Sequence, residues 1–361
     1  MEKKTQRSQR TLVLVPAPYQ GHINPMLQLG AFLHSKGFSI TVVHTHFNSP
    51  NPSNHHNFTF LSIPDGLTAG QISSGNLIGI LLAINANCKE SFQQCLTQVM
   101  KQEARNDITC IIHDELMYFP EPVANNLNIP SLILRPNSAT NFIARSALLR
   151  LHSKGYIPFP LPDSLSLKPV PELHPLRFKD LPISTFDTLE NYSKLMVNAQ
   201  NVRTSSAIIW NTPDCLEQSS LEQIQQQCQI GLSYCLKSRE SGCIVKWALQ
   251  KEILADDAVG GFWSHCECIS ERVPMICKPF SIDQKVHARY ISQVWKIGIQ
   301  LENEIERAVR KLMVLFEEKE MRVRTMELKE NIEASVKSGS LYDSLNDLAD
   351  LIGCNQQLHK S

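Results

Sequence analysis

Short apolar runs alternate with amphipathic helical stretches along this chain, and that alternation constrains the fold more than any single motif. The run Thr11–Pro18, TLVLVPAP, is brief and closed by prolines, as a buried parallel strand is. In the next stretch, YQGHINPMLQLGAFLHSKGF, Pro25 suits a first helical turn. Met26, Leu27, Leu29, Phe32 and Leu33 supply an apolar face, and Gly37 marks a stop. A second strand is expected at Ser39–His46. The unit recurs with a strand at Asp107–Asp114, a helix at Val123–Leu127, and strands at Pro130–Arg135 and Ser205–Thr212. A helix through Leu216, Leu221 and Ile224 follows. Repeated strand–helix–strand units predict a doubly wound α/β fold.

A second block of the same kind begins near Cys228. Strands are expected at Gly242–Trp247, Val259–His265, Val273–Phe280 and Lys296–Glu302, with helices between them. From Glu304 the tail reads as a long, charged, amphipathic helical region. Residues 1–228 and 229–361 are therefore read as two Rossmann-like domains, the second of them truncated. Gln225 to Arg239 has no clear period, where a complete doubly wound half needs one or two further βαβ units of about 30 residues each.

Charge and composition exclude several partners. Lys+Arg and Asp+Glu each number 35, which gives no electrostatic reason to bind nucleic acid or an acidic membrane. The basic start runs into an apolar stretch that Pro16 and Pro18 break, a poor secretory signal. No uninterrupted apolar stretch reaches the ~18 residues of a membrane helix. Eleven scattered cysteines fit reduced thiols in a cytoplasmic protein. No Gly-x-Gly-x-x-Gly follows a strand, which disfavours a nicotinamide-dependent dehydrogenase. The stretch His265-Cys266-Glu267-Cys268, with Cys277 and His287 beyond it, has the composition of a metal site. A Cys-x-Cys without a second paired motif is a weak zinc signal, so no metal is expected.

Two residues stand where α/β folds place functional groups, at the carboxyl ends of strands. His22 lies between the first strand and the first helix, and an imidazole titrates near neutral pH, as a general base must. Asp114 ends the strand TCIIHD. Each also has a structural alternative, a turn histidine and an aspartate capping the next helix. Position alone leaves both open. His113 is expected to point to the other face.

Several stretches, in order, resemble the plant family 1 UDP-dependent glycosyltransferases: PAPYQGHINPMLQLGAFLHSKGFSITVV, CIIHDELMYF, WALQKEILADDAVGGFWSHC, VPMICKPF, DQKVHARY, VWKIGIQLE and ELKENIEASV. The resemblance covers nearly the whole chain. It implies a GT-B fold of two Rossmann-like domains, an N-terminal acceptor domain and a C-terminal domain for a UDP-sugar. It also implies inverting transfer of a sugar, with glucose the expected one, to a hydroxyl of a small lipophilic plant metabolite, without metal or cofactor, by a monomer. His22 would take the acceptor proton, and Asp114 would orient it. Trp247 would stack on uracil, Ala248 would bond its edge, and Gln250 would reach the ribose. His265 would contact the diphosphate, Glu267 or else Glu271 the ribose, and Asp283 with Gln284 the sugar hydroxyls. Asp283 could equally cap its helix. Acceptor contacts would come from loops within Pro64–Cys95 and Phe142–Asn191.

The sequence departs from that family at two places. The Gly-Trp-Asn-Ser block that follows the family's His-Cys is absent, since Glu267 follows Cys266 directly. IGLSYCLKSRES stands where the family has the first strands of its donor domain and a phosphate loop. The Cys-Glu-Cys cluster then reads as a deletion junction. The alternative to an active enzyme is a truncated or acceptor-binding relic of one.

Overall fold

β1, Thr11–Val15, is buried at every position, as a central parallel strand must be. The structure is a computed structural model that describes residues 10–102, 108–158, 160–184, 187–201, 205–212, 214–227, 262–264, 273–280, 282–302, 305–313 and 316–354. β2 (Ser39–Thr45), β3 (Phe58–Ile63), β4 (Ile108–Asp114), β5 (Ser131–Arg135) and β6 (Ala207–Trp210) join β1 in a six-stranded sheet. Its order is β3-β2-β1-β4-β5-β6 and every pairing is parallel. The order reverses between β1 and β4, which opens a crevice at their carboxyl ends.

Eight helices described among these strands and after them complete the first half: α1 (Gln20–Ser35), α2 (Ala69–Ser73), α3 (Leu77–Gln102), α4 (Pro120–Asn126), α5 (Ala139–Ser153), α6 (Asp163–Ser166), α7 (Leu189–Gln200) and α8 (Asp214–Gln227). Alternate residues of β1 serve opposite faces of the sheet. Leu12 and Leu14 join Met26, Leu29 and Leu33 of α1, while Val13 and Val15 join Ile84, Phe92 and Leu96 of α3 and Leu195 of α7. Gly30 lets α1 lie close to the sheet, since a Cβ there would come within 2.8 Å of Leu14 Cδ1.

A second, three-stranded parallel sheet runs β7 (Phe262–Ser264), β8 (Met275–Cys277), β9 (Gly298–Gln300). It is followed or covered by α9 (Asp283–Gln293), α10 (Ile305–Met313), α11 (Phe316–Ser338) and α12 (Ser340–Gly353). Met275, Cys277, Ala288, Ile291 and Ile297 form one small core, and Ile276, Ala308, Leu312 and Met321 another. Two elements reach back across the molecule. Val286 of α9 is fully buried in the core containing Val13 and α3, and Leu348, Ala349 and Ile352 of α12 are buried beside Leu12 and Leu14.

The parallel strands read from the sequence are found where they fall on described residues, and the strand expected at Gly242–Trp247 lies outside them. Other features differ from expectation. The edge strand β3 and the 26-residue α3 had no counterpart in the sequence reading. Of the stretches expected as acceptor loops, Pro64–Cys95 is largely helical, holding α2 and most of α3, while Phe142–Asn191 starts with most of α5 and carries α6 and the beginning of α7 within a longer irregular path. Burial explains α3: Ile80, Leu81, Ile84, Cys88, Phe92 and Leu96 recur at helical spacing and all face the core. The helical tail is divided into α10, α11 and α12. Among the described residues, no helix is long and apolar enough to cross a membrane.

Candidate functional site

α1 begins where β1 ends, and this places His22 in the first turn of the helix, at the crevice. β4, the neighbour of β1, ends in Asp114. The two meet: His22 Nδ1 lies 2.8 Å from Asp114 Oδ2. Asp114 is fully buried, and its other oxygen accepts the Leu116 N–H at 2.9 Å, which fixes the carboxylate. His22 keeps 16% of its side chain exposed. An ionised carboxylate can only accept, so Nδ1 carries the proton and Nε2 presents its lone pair away from Asp114. Tyr19 stands edge-on to the ring, its hydroxyl donating to the Leu77 carbonyl at 3.1 Å.

Electrostatics set the basicity of this imidazole. Burial by itself lowers its pKa. The Asp114 carboxylate, through its charge and its hydrogen bond, acts the other way, and Glu115 and Asp283 add to it. The balance holds the imidazolium above the ordinary histidine range.

Beneath this pair lies a buried ionic network that the sequence did not announce. Glu115 is fully buried and receives Arg145 Nη2 on both oxygens at 2.9 and 3.0 Å. Arg135 Nε is 3.7 Å away, and Asn137 Nδ2 donates at 3.0 Å. Burial would raise the Glu115 pKa, but Arg145 and then Arg135 hold it below the usual carboxylate range. The Arg135 guanidinium stacks on Phe142 at 4.3 Å and on Trp210 at 4.9 Å. A carboxylate one residue beyond a strand end was the only signal, and its partners come from β5 and α5. His113 is buried, with Nδ1 3.1 Å from the Asp114 carbonyl, and burial lowers its pKa.

The second half contributes α9. Asp283 is its first residue, partly exposed, and its charge is felt at His22, Arg145 and Tyr192. The position before the helix is held by Ile282 and carries no side-chain cap, so Asp283 is not the capping residue. Gln284 Oε1 accepts the Phe280 N–H at 3.0 Å. One turn on, His287 Nε2 lies 3.0 Å from Ser138 Oγ, and Ser138 also caps α5 by accepting from Asn141 N–H at 3.1 Å. The structure thus joins His22 to Asp114 and sets Asp283, at the start of α9, close enough for its charge to act on His22. Trp247, Ala248, Gln250, His265, Glu267 and Glu271 lie outside the described residues, as does the rest of the Cys-Glu-Cys stretch. Among the described residues, no group of three or more His, Cys, Asp or Glu could hold a metal ion.

No family model matches the chain. It is similar to UDP-glucose:anthocyanidin 3-O-glucosyltransferase in complex with UDP, with a TM-score of 0.77 at 20% identity, covering 96% of this chain and 100% of that one. It is similar also to Medicago truncatula UGT71G1 complexed with UDP-glucose, with a TM-score of 0.77 at 17% identity over 96% and 99% of the two chains. These likenesses establish the GT-B fold. In sequence the chain is 38% identical to Arabidopsis thaliana flavonol 3-O-glucosyltransferase UGT76E12, with 98% of each covered. Identity to A. thaliana UDP-glycosyltransferase 76E1 is also 38%, over 94% of this chain and 97% of the relative. With identity at that level along nearly its whole length, the chain belongs to the family of plant UDP-glycosyltransferases.

Proposed function

We propose that this protein transfers a sugar, most simply glucose, from a UDP-sugar to a hydroxyl of a small lipophilic plant metabolite, with inversion and without metal or cofactor. The observation that carries the reading is the 2.8 Å contact between His22 Nδ1 and Asp114 Oδ2 at the switch point of the first sheet. Nε2 of His22 takes the acceptor's proton as its oxygen attacks the anomeric carbon and UDP leaves. Asp114 fixes the tautomer and stabilises the imidazolium that forms. Asp283 and Gln284 bond the sugar hydroxyls. Gln284 spends its oxygen on Phe280 N–H, which leaves its amide hydrogens for a ligand. Trp247, Ala248, Gln250, His265 and Glu267 would hold the nucleotide. The enzyme works as a cytoplasmic monomer, and the described thiols, among them buried Cys88, Cys110 and Cys277, are all free, as that setting favours. With UDP-glucose and a panel of flavonols and simple phenols, His22→Ala should lower the transfer rate at least ~100-fold. Undiminished turnover in that variant would remove the dyad from the mechanism.

A second reading has its own support. The alignment with UGT76E12 runs over 454 positions, more than the 361 residues of this chain, so the relative carries stretches without a counterpart here. With a donor half shortened around residues 228–242 and 266–267, the chain would keep the acceptor site and lose the diphosphate cradle. Charge-assisted bonds to phosphate are the strong ones, so losing two or three weakens binding at least ~100-fold. Calorimetry with UDP-glucose separates the two: micromolar binding supports the enzyme, and millimolar or absent binding supports the relic.

A further inference from the structure

His22 sits in a helix turn that lacks a local cap. Tyr19 holds the position before α1 at φ −130°, and its side chain takes none of the free N–H groups of the first turn. Thr68, Ser138 and Thr188 do so for α2, α5 and α7, as residues of their kind usually do. No acidic residue stands in the first turn of α1 to complement its dipole. The Tyr19 carbonyl accepts the His22 and Ile23 N–H groups at 2.9 and 2.8 Å. Those bonds close the turn on itself and tie it to no other element.

Two side-chain bonds do tie it. The Tyr19 hydroxyl reaches across 58 positions to the Leu77 carbonyl at the start of α3, at 3.1 Å. Burial pushes the phenol above its ordinary range, so the hydroxyl keeps its proton and stays a donor. From the other side Asn48, just past β2, donates Nδ2 to the Pro18 carbonyl at 2.6 Å. Asn48 stands at φ 53°, in the left-handed region that asparagine tolerates better than most residues. Its neighbour Phe47 packs edge-on against the Tyr19 ring with centroids 6.4 Å apart, and gives its N–H to Asp65 Oδ2 at 2.7 Å. Asp65 is buried, and its carbonyl accepts Asn87 Nδ2 of α3 at 3.1 Å. Both ties on the turn of His22 therefore lead back to α3.

We propose that Tyr19 and Asn48 are positioning residues for His22, whose side chains hold its turn so that Nδ1 stays on Asp114 and Nε2 stays toward the acceptor. The proposal rests on the reading of His22 as the general base. Neither residue needs to touch the reacting atoms: each acts on the backbone from which the imidazole is hung. The charged groups that bear on the ring are Asp114, Glu115 and Asp283. Burial lowers the His22 pKa and these three carboxylates, Asp114 foremost, more than offset it. A turn that drifts from Asp114 loses the largest of those contributions.

Imidazole nitrogen NMR on the full chain tests the proposal, with transfer kinetics beside it. In the wild type the neutral His22 ring should hold its proton on Nδ1 and titrate above about 6.5. In Tyr19→Phe and in Asn48→Gly the midpoint should fall back toward that value, and the Nε2-protonated tautomer should appear. Both changes are mild, since phenylalanine keeps the ring against Phe47 and glycine adopts φ 53° without strain. A misplacement of about 1 Å can cost ~100-fold in rate, so kcat should fall at least ~fivefold with KM changed less than about twofold. Ser35→Ala is the control: it removes a 2.6 Å bond to the Phe32 carbonyl at the far end of α1 and should alter neither readout. If the wild type transfers no sugar while the two variants shift the His22 titration, the transfer reading fails and the positioning stands. A midpoint and tautomer unchanged in both variants would overturn the proposal. So would a raised KM at unchanged kcat, which would make the two residues acceptor contacts.

Discussion

At the scale of single residues, the asymmetry of Asp114 yields a sharp expectation. One oxygen is committed to the Leu116 N–H and the other to His22. In Asp114→Asn the amide oxygen stays with Leu116 N–H, so the NH₂ group faces His22. Nδ1 must then accept, the proton moves to Nε2, and the lone pair is lost from the nitrogen that needs it. Sign matters for the pH profile. The native His22 pKa is held above its ordinary value, so kcat/KM should fall as pH drops through a point above about 6.5. In Asp114→Asn the rate should be far lower, and the acid limb of what remains should lie at lower pH. A limb that stays in place would show that it reports another group. The same raised pKa makes the pair a source of stability that is fully present below the unfolded histidine's pKa and is lost as pH rises through the folded one. The Glu115 network below supports a prediction of its own. Arg145→Met leaves a buried carboxylate without the guanidinium nitrogen that meets both its oxygens and should cost about 3–5 kcal/mol in urea unfolding. A loss under about 1 kcal/mol would show that Arg135 alone holds the charge. His22 and Asp114 were legible in the sequence because each closes an apolar run. Glu115 with Arg145 was not, because a contact across 30 positions and two elements leaves no local pattern.

At the scale of elements, the central strands were legible and the edges were not. β1, β4 and β5 are buried throughout and read as continuous apolar runs. β3 sits at the end of the sheet, and its FTFLSI mixes exposed and half-buried positions, which blurs the run. α3 hides its apolar stripe among polar residues that turn out to work inward. Asn85 of α3 accepts from the N–H groups of Tyr118 and Phe119 and donates to the carbonyls of Leu81 and Leu116. No periodicity of hydrophobic residues reveals such a group. β9 gives this scale its test. A Cβ at Gly298 would lie 2.5 Å from the Met275 carbonyl oxygen and 2.8 Å from Ile291 Cγ2. Gly298→Ala must therefore push β9 away from β8 or from α9, at about 1–3 kcal/mol, the usual scale of overpacking. Gly21→Ala, with nothing within 4 Å, is the matched control and should leave the melting temperature unchanged or higher. Equal melting of the Gly298→Ala variant and the wild type would mean that the second sheet yields freely.

At the scale of the molecule, two α/β units were visible in the sequence, but their dependence on each other was not. A boundary at 228 makes the first half look self-sufficient, with a complete parallel sheet and helices on both faces. Yet one face is finished by the end of the chain. Leu348 and Ile352 are fully buried against the core of β1, β2 and α1, Ala349 nearly so, and Lys36 Nζ donates to Asn346 Oδ1 at 2.6 Å. α9 closes the other face through Val286. Between them, Arg177 with Glu302 and the donation from Arg289 Nε to the Pro175 carbonyl at 2.9 Å tie the halves at the rim. Residues 1–228 expressed alone should therefore be folded but weakened. Burying two large aliphatic side chains contributes on the order of 4 kcal/mol, an upper estimate because unfolded chains already hide some surface. The fragment should melt well below the full chain, and a peptide of residues 338–354 supplied in trans should restore part of the difference. Leu348→Ala/Ile352→Ala in the same peptide should abolish the rescue, since the contact is apolar. If the fragment melts with the intact chain, or if the substituted peptide rescues equally, then α12 only rests on the first half and the boundary at 228 divides two independent folding units.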